Sequence, residues 1–130
     1  MDDRALMPLL LSPEVAAELG PLNPVAVRYP LLHDAFHVLL GFDTGLPGEL
    51  GVWSFVGAQR YTPTFRHVAT IARFSYALAA PSSAAALRQA RLRGERMGRA
   101  APCLIAQPIE AWWAAPLLQV RQRLGLHHEL

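Results

Sequence analysis

Residues 28–55 read RYPLLHDAFHVLLGFDTGLPGELGVWSF, and the rest of the chain is organised around them. Within LLHDAFHVLLG, the apolar Leu32, Ala35, Phe36, Leu39 and Leu40 recur at three- and four-residue spacing. That period predicts a helix, and Gly41 is the residue that ends one. On such a helix His33 and His37 stand one turn apart, with Cβ atoms roughly 6 Å from each other. Two imidazoles at that spacing can share one ion at about 2.0–2.1 Å each. Asp34 lies about 100° further round and reaches the rim of the same place. FDTGLPG then reverses the chain. Pro47 suits a first helical position, so a second helix is expected from about Leu46 with Glu49 in its first turn. Two helices joined by so short a loop pack antiparallel, which returns Glu49 over the histidines.

His33, Asp34, His37 and Glu49 are therefore the candidate ligands of a divalent metal, with zinc or another transition metal suited to the donor set. The structural alternative is that the two histidines merely pack and hydrogen-bond. The analogy to H-E-x-x-H zinc proteases is weak, because the acid beside the first histidine here is the shorter Asp34.

At 130 residues the chain fits one domain, residues 1–130. Hydrophobic residues make up 52% and charged residues only 17%, so some apolar surface is expected to serve a lipid, a partner or a second subunit. All twelve basic residues are arginine, and the net charge of +2 is too small to argue for nucleic acid. The single Cys103 excludes an internal disulfide and a cysteine zinc site, and reads as a small buried hydrophobe. The opening MDDRALMPLLLSP does not have the form of a signal or transit peptide, and no stretch approaches the ~20 apolar residues of a membrane span.

Taken in order, a short helix is expected from Ser12 to just before Gly20, and the motif helix from Asn23–Pro24, with a kink or fresh start at Pro30. The next helix places Gly51, Ser54, Gly57 and Ala58 among large residues, a spacing that lets helices approach closely. Thr62–Pro63 caps a further helix, halted by Pro81, on which Arg66 and Arg73 share a face and His67 points to solvent. Ser82 or Ser83 caps another, from about Ser83 to Met97, bearing Arg88, Arg91, Arg93 and Arg96. This arginine face reads as solvated, or as a contact for phospholipid headgroups or another anion through Arg88, Arg91 and Arg96. GRAAPCLIAQP follows as an irregular segment. Pro108 opens a turn with Trp112 and Trp113, of which Trp113 is expected in the core and Trp112 at a membrane interface. A last helix spans Pro116 to Leu124, closed by Gly125. The fold class is thus all-α: a single compact bundle of about six helices.

The central stretch resembles the coenzyme Q (ubiquinone) biosynthesis protein 4 family. That family carries H-D-x-x-H, eleven residues, then Glu, and here the pattern is met by His33, Asp34, His37 and Glu49 with unbroken spacing. Arg28, Tyr29, Leu39–Leu40–Gly41 and Gly48 agree in the flanks. A second similar segment is GRAAPC, Gly98 to Cys103, with Trp113, Pro116–Leu117, Arg121 and Leu124–Gly125 beyond it. Family members usually have a further N-terminal helical segment, where this chain has about 27 residues, so it reads as a short form.

The resemblance implies a divalent metal on the motif residues, a polyprenylated quinone precursor as ligand, and other quinone-biosynthesis proteins as partners. It also implies oxidative removal of the C1 carboxylate from a prenylated hydroxybenzoate, leaving a hydroxyl, with Asp34 and Glu49 as the catalytic candidates. The alternative is a non-catalytic prenyl-lipid-binding scaffold whose metal is a structural clip. Peripheral attachment at the inner, cytoplasmic face of a bacterial cell membrane is expected, and a homodimer is compatible with the apolar excess.

Overall fold

Proline stands at or beside the start of each of the first three helices, where its fixed φ suits the turn and its missing N–H costs nothing. The computed structural model describes residues 24–126, with side chains from residue 28 onward. Helix α1 spans Pro24–Leu40, α2 Leu46–Gln59, α3 Pro63–Ala79, α4 Ala84–Ala100 and α5 Leu117–Arg123. Three short 3-10 turns cover Pro81–Ser83, Leu104–Ala106 and Ile109–Trp112. The regular structure among the described residues is wholly helical, as expected, with five helices where about six were read. The helix expected from Ser12 lies outside the described residues.

Helix α1 does not restart at Pro30. It runs through as one element, because Tyr29 and Leu32 on either side are buried and hold it across the lost hydrogen bond. It ends at Gly41, whose φ of 70° is the left-handed turn that glycine adopts without strain. The amide of Phe42 then donates back to the carbonyl of His37 at 3.1 Å, the six-to-one bond of a Schellman turn.

Helix α2 sits at the centre and packs most extensively on α4. A Cβ on Gly94 would collide with the carbonyl of Gly51, and one on Gly98 would lie 2.6 Å from the carbonyl of Phe55. The small residues of this pair therefore bring two backbones together, the close packing expected of Gly51 and Ala58. Around them Leu32, Phe36, Leu40, Phe55, Met97 and Leu104 are almost completely buried. Tyr29 meets Phe36 and Phe65 edge-on, with ring centroids 5.6 and 5.2 Å apart, a geometry favoured by the ring quadrupoles.

Thr62 caps α3 as expected, accepting from the amide of Phe65 at 3.3 Å. The start of α4 differs. Ser83 makes no capping bond through its side chain; the 3-10 turn from Pro81 feeds the helix directly, and the Ser83 amide donates to Ala80 instead. The helix also continues three residues past Met97, to Ala100.

The irregular segment after α4 is held by side chains instead of a backbone ladder. The Gln59 amide group donates to the carbonyls of Gly98, Ala101 and Pro102, and its Oε1 accepts from the Leu104 amide at 2.7 Å. Arg28 donates to the carbonyls of Ile105 and Gln107 and pairs with Glu110 at 2.7 Å. These anchors turn Leu104, Ile105 and Ile109 inward, which leaves Cys103 exposed, contrary to the buried position expected for it. The same anchors set the tryptophans, and Trp113 is not in the core as expected. Trp112 packs against the core beneath Arg123, and Trp113 is 46% exposed. Arg121 on α5 donates to the carbonyls of Val38 and Leu39, so the last helix caps the end of the first. No helix among the described residues is long and apolar enough to cross a membrane.

Candidate metal centre

The site is assembled from the last turns of α1 and the first turn of α2. His33 and His37 project from one face of α1, with ring centroids 4.7 Å apart. Glu49 comes over them from α2, as the spacing of the sequence led one to expect. His37 Nε2 lies 3.2 Å from His33 Nε2 and 3.2 Å from Glu49 Oε1, and His33 Nε2 lies 3.5 Å from Glu49 Oε2. One ligand atom from each residue falls within 4.8 Å of the others.

The tautomer of His37 is fixed by its surroundings. Its Nδ1–H donates to the carbonyl of Phe42 at 3.1 Å, since a carbonyl can only accept. With Nδ1 engaged there, Nε2 is the ring nitrogen that faces His33 and Glu49 and would serve as the metal donor. This is the arrangement that orients metal-binding histidines generally. The donors also fit an ion in size. Four ligands at zinc-like bond lengths are separated by roughly 3.3 Å; here the two Nε2 atoms stand 3.2 Å apart, each has a Glu49 oxygen within 3.5 Å, and one ligand atom from each of the three residues lies within 4.8 Å of the others. Two borderline nitrogens and one hard oxygen suit zinc, iron, manganese or cobalt.

Asp34 occupies a different place. Its carboxylate is fully exposed, 4.0 Å from His33 Nδ1, outside the three-residue cluster. On this side of α1 a cavity of about 300 Å³ opens beside Asp34, with apolar walls from Val38, Leu39, Ile109, Trp112 and Leu117. On the other flank Tyr29 stacks obliquely on His33 at 5.7 Å. The Tyr29 hydroxyl is buried and has no hydrogen-bond partner among the described residues. Burial, and then the nearby Glu49 carboxylate, push its pKa well above the ordinary tyrosine value.

Of the arginines singled out on α4, Arg91 pairs with Glu95 at 3.1 Å and lines a cavity toward α3. Arg88 lines an adjoining hollow with Arg73 and Arg91, and Arg96 lines neither. His67 is exposed on α3, as expected. The orienting carbonyl of Phe42 went unread in the sequence, although its signal was there: a helix stopped by Gly41 places Phe42 next, where a Schellman turn points its backbone inward.

Fold and site together define an all-helical protein whose first two helices carry a two-histidine, one-carboxylate centre beside an apolar cavity. A model of the coenzyme Q (ubiquinone) biosynthesis protein Coq4 family matches residues 21–129, and the chain belongs to that family. It is 32% identical over 102 residues to the mitochondrial ubiquinone biosynthesis protein COQ4 homolog of Bos taurus, a match covering 78% of this chain and 38% of the relative. The crystal structure of a Nostoc punctiforme protein ascribed to ubiquinone biosynthesis superposes with a TM-score of 0.70 at 32% identity, over 78% of this chain and 50% of that one. The chain thus spans half or less of the length of these relatives.

Proposed function

We propose that this protein acts in ubiquinone biosynthesis, as a metal-dependent enzyme that oxidatively decarboxylates C1 of a polyprenylated hydroxybenzoate, the carboxylate leaving as carbon dioxide and molecular oxygen, as the oxidant, supplying the hydroxyl left on that carbon. The observation that carries the reading is the donor count. Among the described residues three protein ligands converge, and a centre with three protein ligands keeps a position for water or substrate, as catalytic sites do.

A bound metal would supply Lewis acidity toward the carboxylate and ring oxygens of the substrate. His33, His37 and Glu49 would hold it, with Nδ1–H of His37 donated to the Phe42 carbonyl and Nε2 left to face the ion. The cavity beside Asp34 suits part of a prenyl tail: its walls are aliphatic and aromatic, and it opens at the helix that carries both histidines. Asp34, charged and solvated at the mouth of that cavity, is placed to exchange protons with water at the ring end. The buried Tyr29 hydroxyl offers a neutral donor on the opposite flank. Attachment of the apolar protein to the periphery of a membrane would bring the prenylated substrate to it.

The test is rescue of quinone production in a bacterium blocked at C1 decarboxylation and hydroxylation. Wild type is expected to restore it, and Glu49→Gln and Asp34→Asn, which change charge but little shape, are expected to fail. Equal rescue by all three would show that the protein works as a lipid-binding scaffold.

A further inference from the structure

A second site lies among α2, α3 and α4. A cavity of about 420 Å³ is lined by Arg60, Arg66, Arg73, Arg91, Arg99 and Glu95, with Gly57, Ala58 and Ala69 among its small neutral residues. It shares no residue with the histidine cluster or with the apolar cavity beside Asp34. We propose that it binds a phosphate-type oxyanion carrying two or more negative charges.

Charge is the first argument. Five guanidiniums from three helices face one carboxylate, and Glu95 is engaged by Arg91. Arg60, Arg66, Arg73 and Arg99 have no carboxylate partner among the described residues. Like charges gathered around one hollow repel each other, and a polyanion removes that repulsion. A monocarboxylate would leave most of the excess in place. Guanidinium groups also match phosphate oxygens two at a time, which a solvated face does not exploit.

Backbone conformation is the second, independent argument. Arg60 ends α2 with φ 57° and ψ 47°, the left-handed region, and among the described residues it is the one non-glycine with positive φ. The other two positive-φ positions, Gly41 and Gly125, carry the usual glycine. An arginine at a helix end where glycine is easier is backbone strain of the kind that gathers at functional sites. Here that side chain lines the cavity. The floor is shallow and uncharged: a Cβ on Gly57 would come within 2.7 Å of the Ala69 methyl, so the helices nearly touch beneath the guanidiniums.

The experiment is calorimetric titration of the full chain with inorganic phosphate and pyrophosphate at low salt. Pyrophosphate is expected to bind more tightly than phosphate. Arg60→Gly and Arg66→Gln are each expected to weaken it about tenfold or more, the size of a lost charge-assisted hydrogen bond. Arg60→Gly should melt no lower than wild type, because glycine relieves the left-handed backbone. Arg123→Gln, an equal charge change on α5, and Glu49→Gln at the metal centre should leave the affinity unchanged. Vesicles of phosphatidic acid and of phosphatidylcholine distinguish the source of the phosphate. Arg60-dependent binding to phosphatidic acid alone assigns a lipid headgroup, and binding of pyrophosphate in solution assigns a free ligand. Absence of binding to any of these probes overturns the site. So does a loss as large in Arg123→Gln as in Arg60→Gly, or a loss in Glu49→Gln.

Discussion

His37 Nδ1 lies 3.1 Å from the carbonyl oxygen of Phe42, five residues along the chain. The same pair is tied a second time, because the Phe42 amide donates to the His37 carbonyl, also at 3.1 Å. One residue thus closes the helix and orients the imidazole. The metal centre is in this sense an extension of a helix-ending turn.

About one divalent ion per chain is expected at this centre. His37→Ala and Glu49→Ala should abolish binding, while far-UV circular dichroism stays helical. Metal analysis of purified wild type and variants checks this, and unchanged metal content in both variants would remove the site. Asp34→Ala should retain most of the metal, since its carboxylate stands outside the three-residue cluster.

Gly41→Ala should act on the site without touching a ligand. A methyl group at φ 70° costs about 1 kcal/mol and loosens the turn that presents the Phe42 carbonyl. Both the unfolding midpoint and the metal affinity should fall. A loss of stability with unaltered metal affinity would show that the Phe42 carbonyl does not govern His37.

Gly94→Ala is expected to be among the most damaging single changes. Its methyl would meet the Gly51 carbonyl, a backbone atom that cannot swing aside, so α2 and α4 must separate. Overpacking of this kind costs roughly 1–3 kcal/mol or more, measurable by urea titration. Gly125→Ala is the useful contrast. It meets no atom within 4 Å, and its penalty comes only from its φ of 69°.

Alkaline titration should be coupled to unfolding. Burial, first of all, raises the pKa of both Tyr29 and Tyr61 above the ordinary value near 10. A group whose folded pKa is raised keeps its full stabilising effect below its unfolded pKa, and loses it as pH rises toward the folded value. Stability should therefore be flat below about pH 9 and decline above about pH 10. Ionisation of these two phenols, followed by ultraviolet absorbance, should coincide with the loss of circular dichroism. Ionisation of both in a chain that is still fully helical would contradict their burial.

Local rules carried much of the fold into the sequence. The boundaries of α1, α2 and α3 follow from Pro24, Gly41, Pro47 and the Thr62 cap, all of which act within one turn. The convergence of His33, His37 and Glu49 followed from helical spacing and a short loop. Cys103 and Trp113 were misplaced because the segment holding them has no period. Its burial is decided by Gln59 and Arg28, residues about forty and nearly eighty positions away. The arginine cavity was only half visible. Arg66 and Arg73 share a helical face in the sequence, but which helix supplies the other guanidiniums is a matter of packing.

Arg28 bonds to Ile105 across 77 residues and to Glu110 across 82. During synthesis the histidine-bearing helix can form early and pack through Tyr29 on Phe65, yet the bonds of Arg28 to Ile105, Gln107 and Glu110 wait until residues 105–110 have emerged. Loop closure over such distances is entropically costly and comes late. The order of assembly is therefore written into the clamp: the central helices first, and the completed wall around the histidines only when the carboxy-terminal segment arrives. A ribosome stalled before residue 105 should display helices that bind metal weakly.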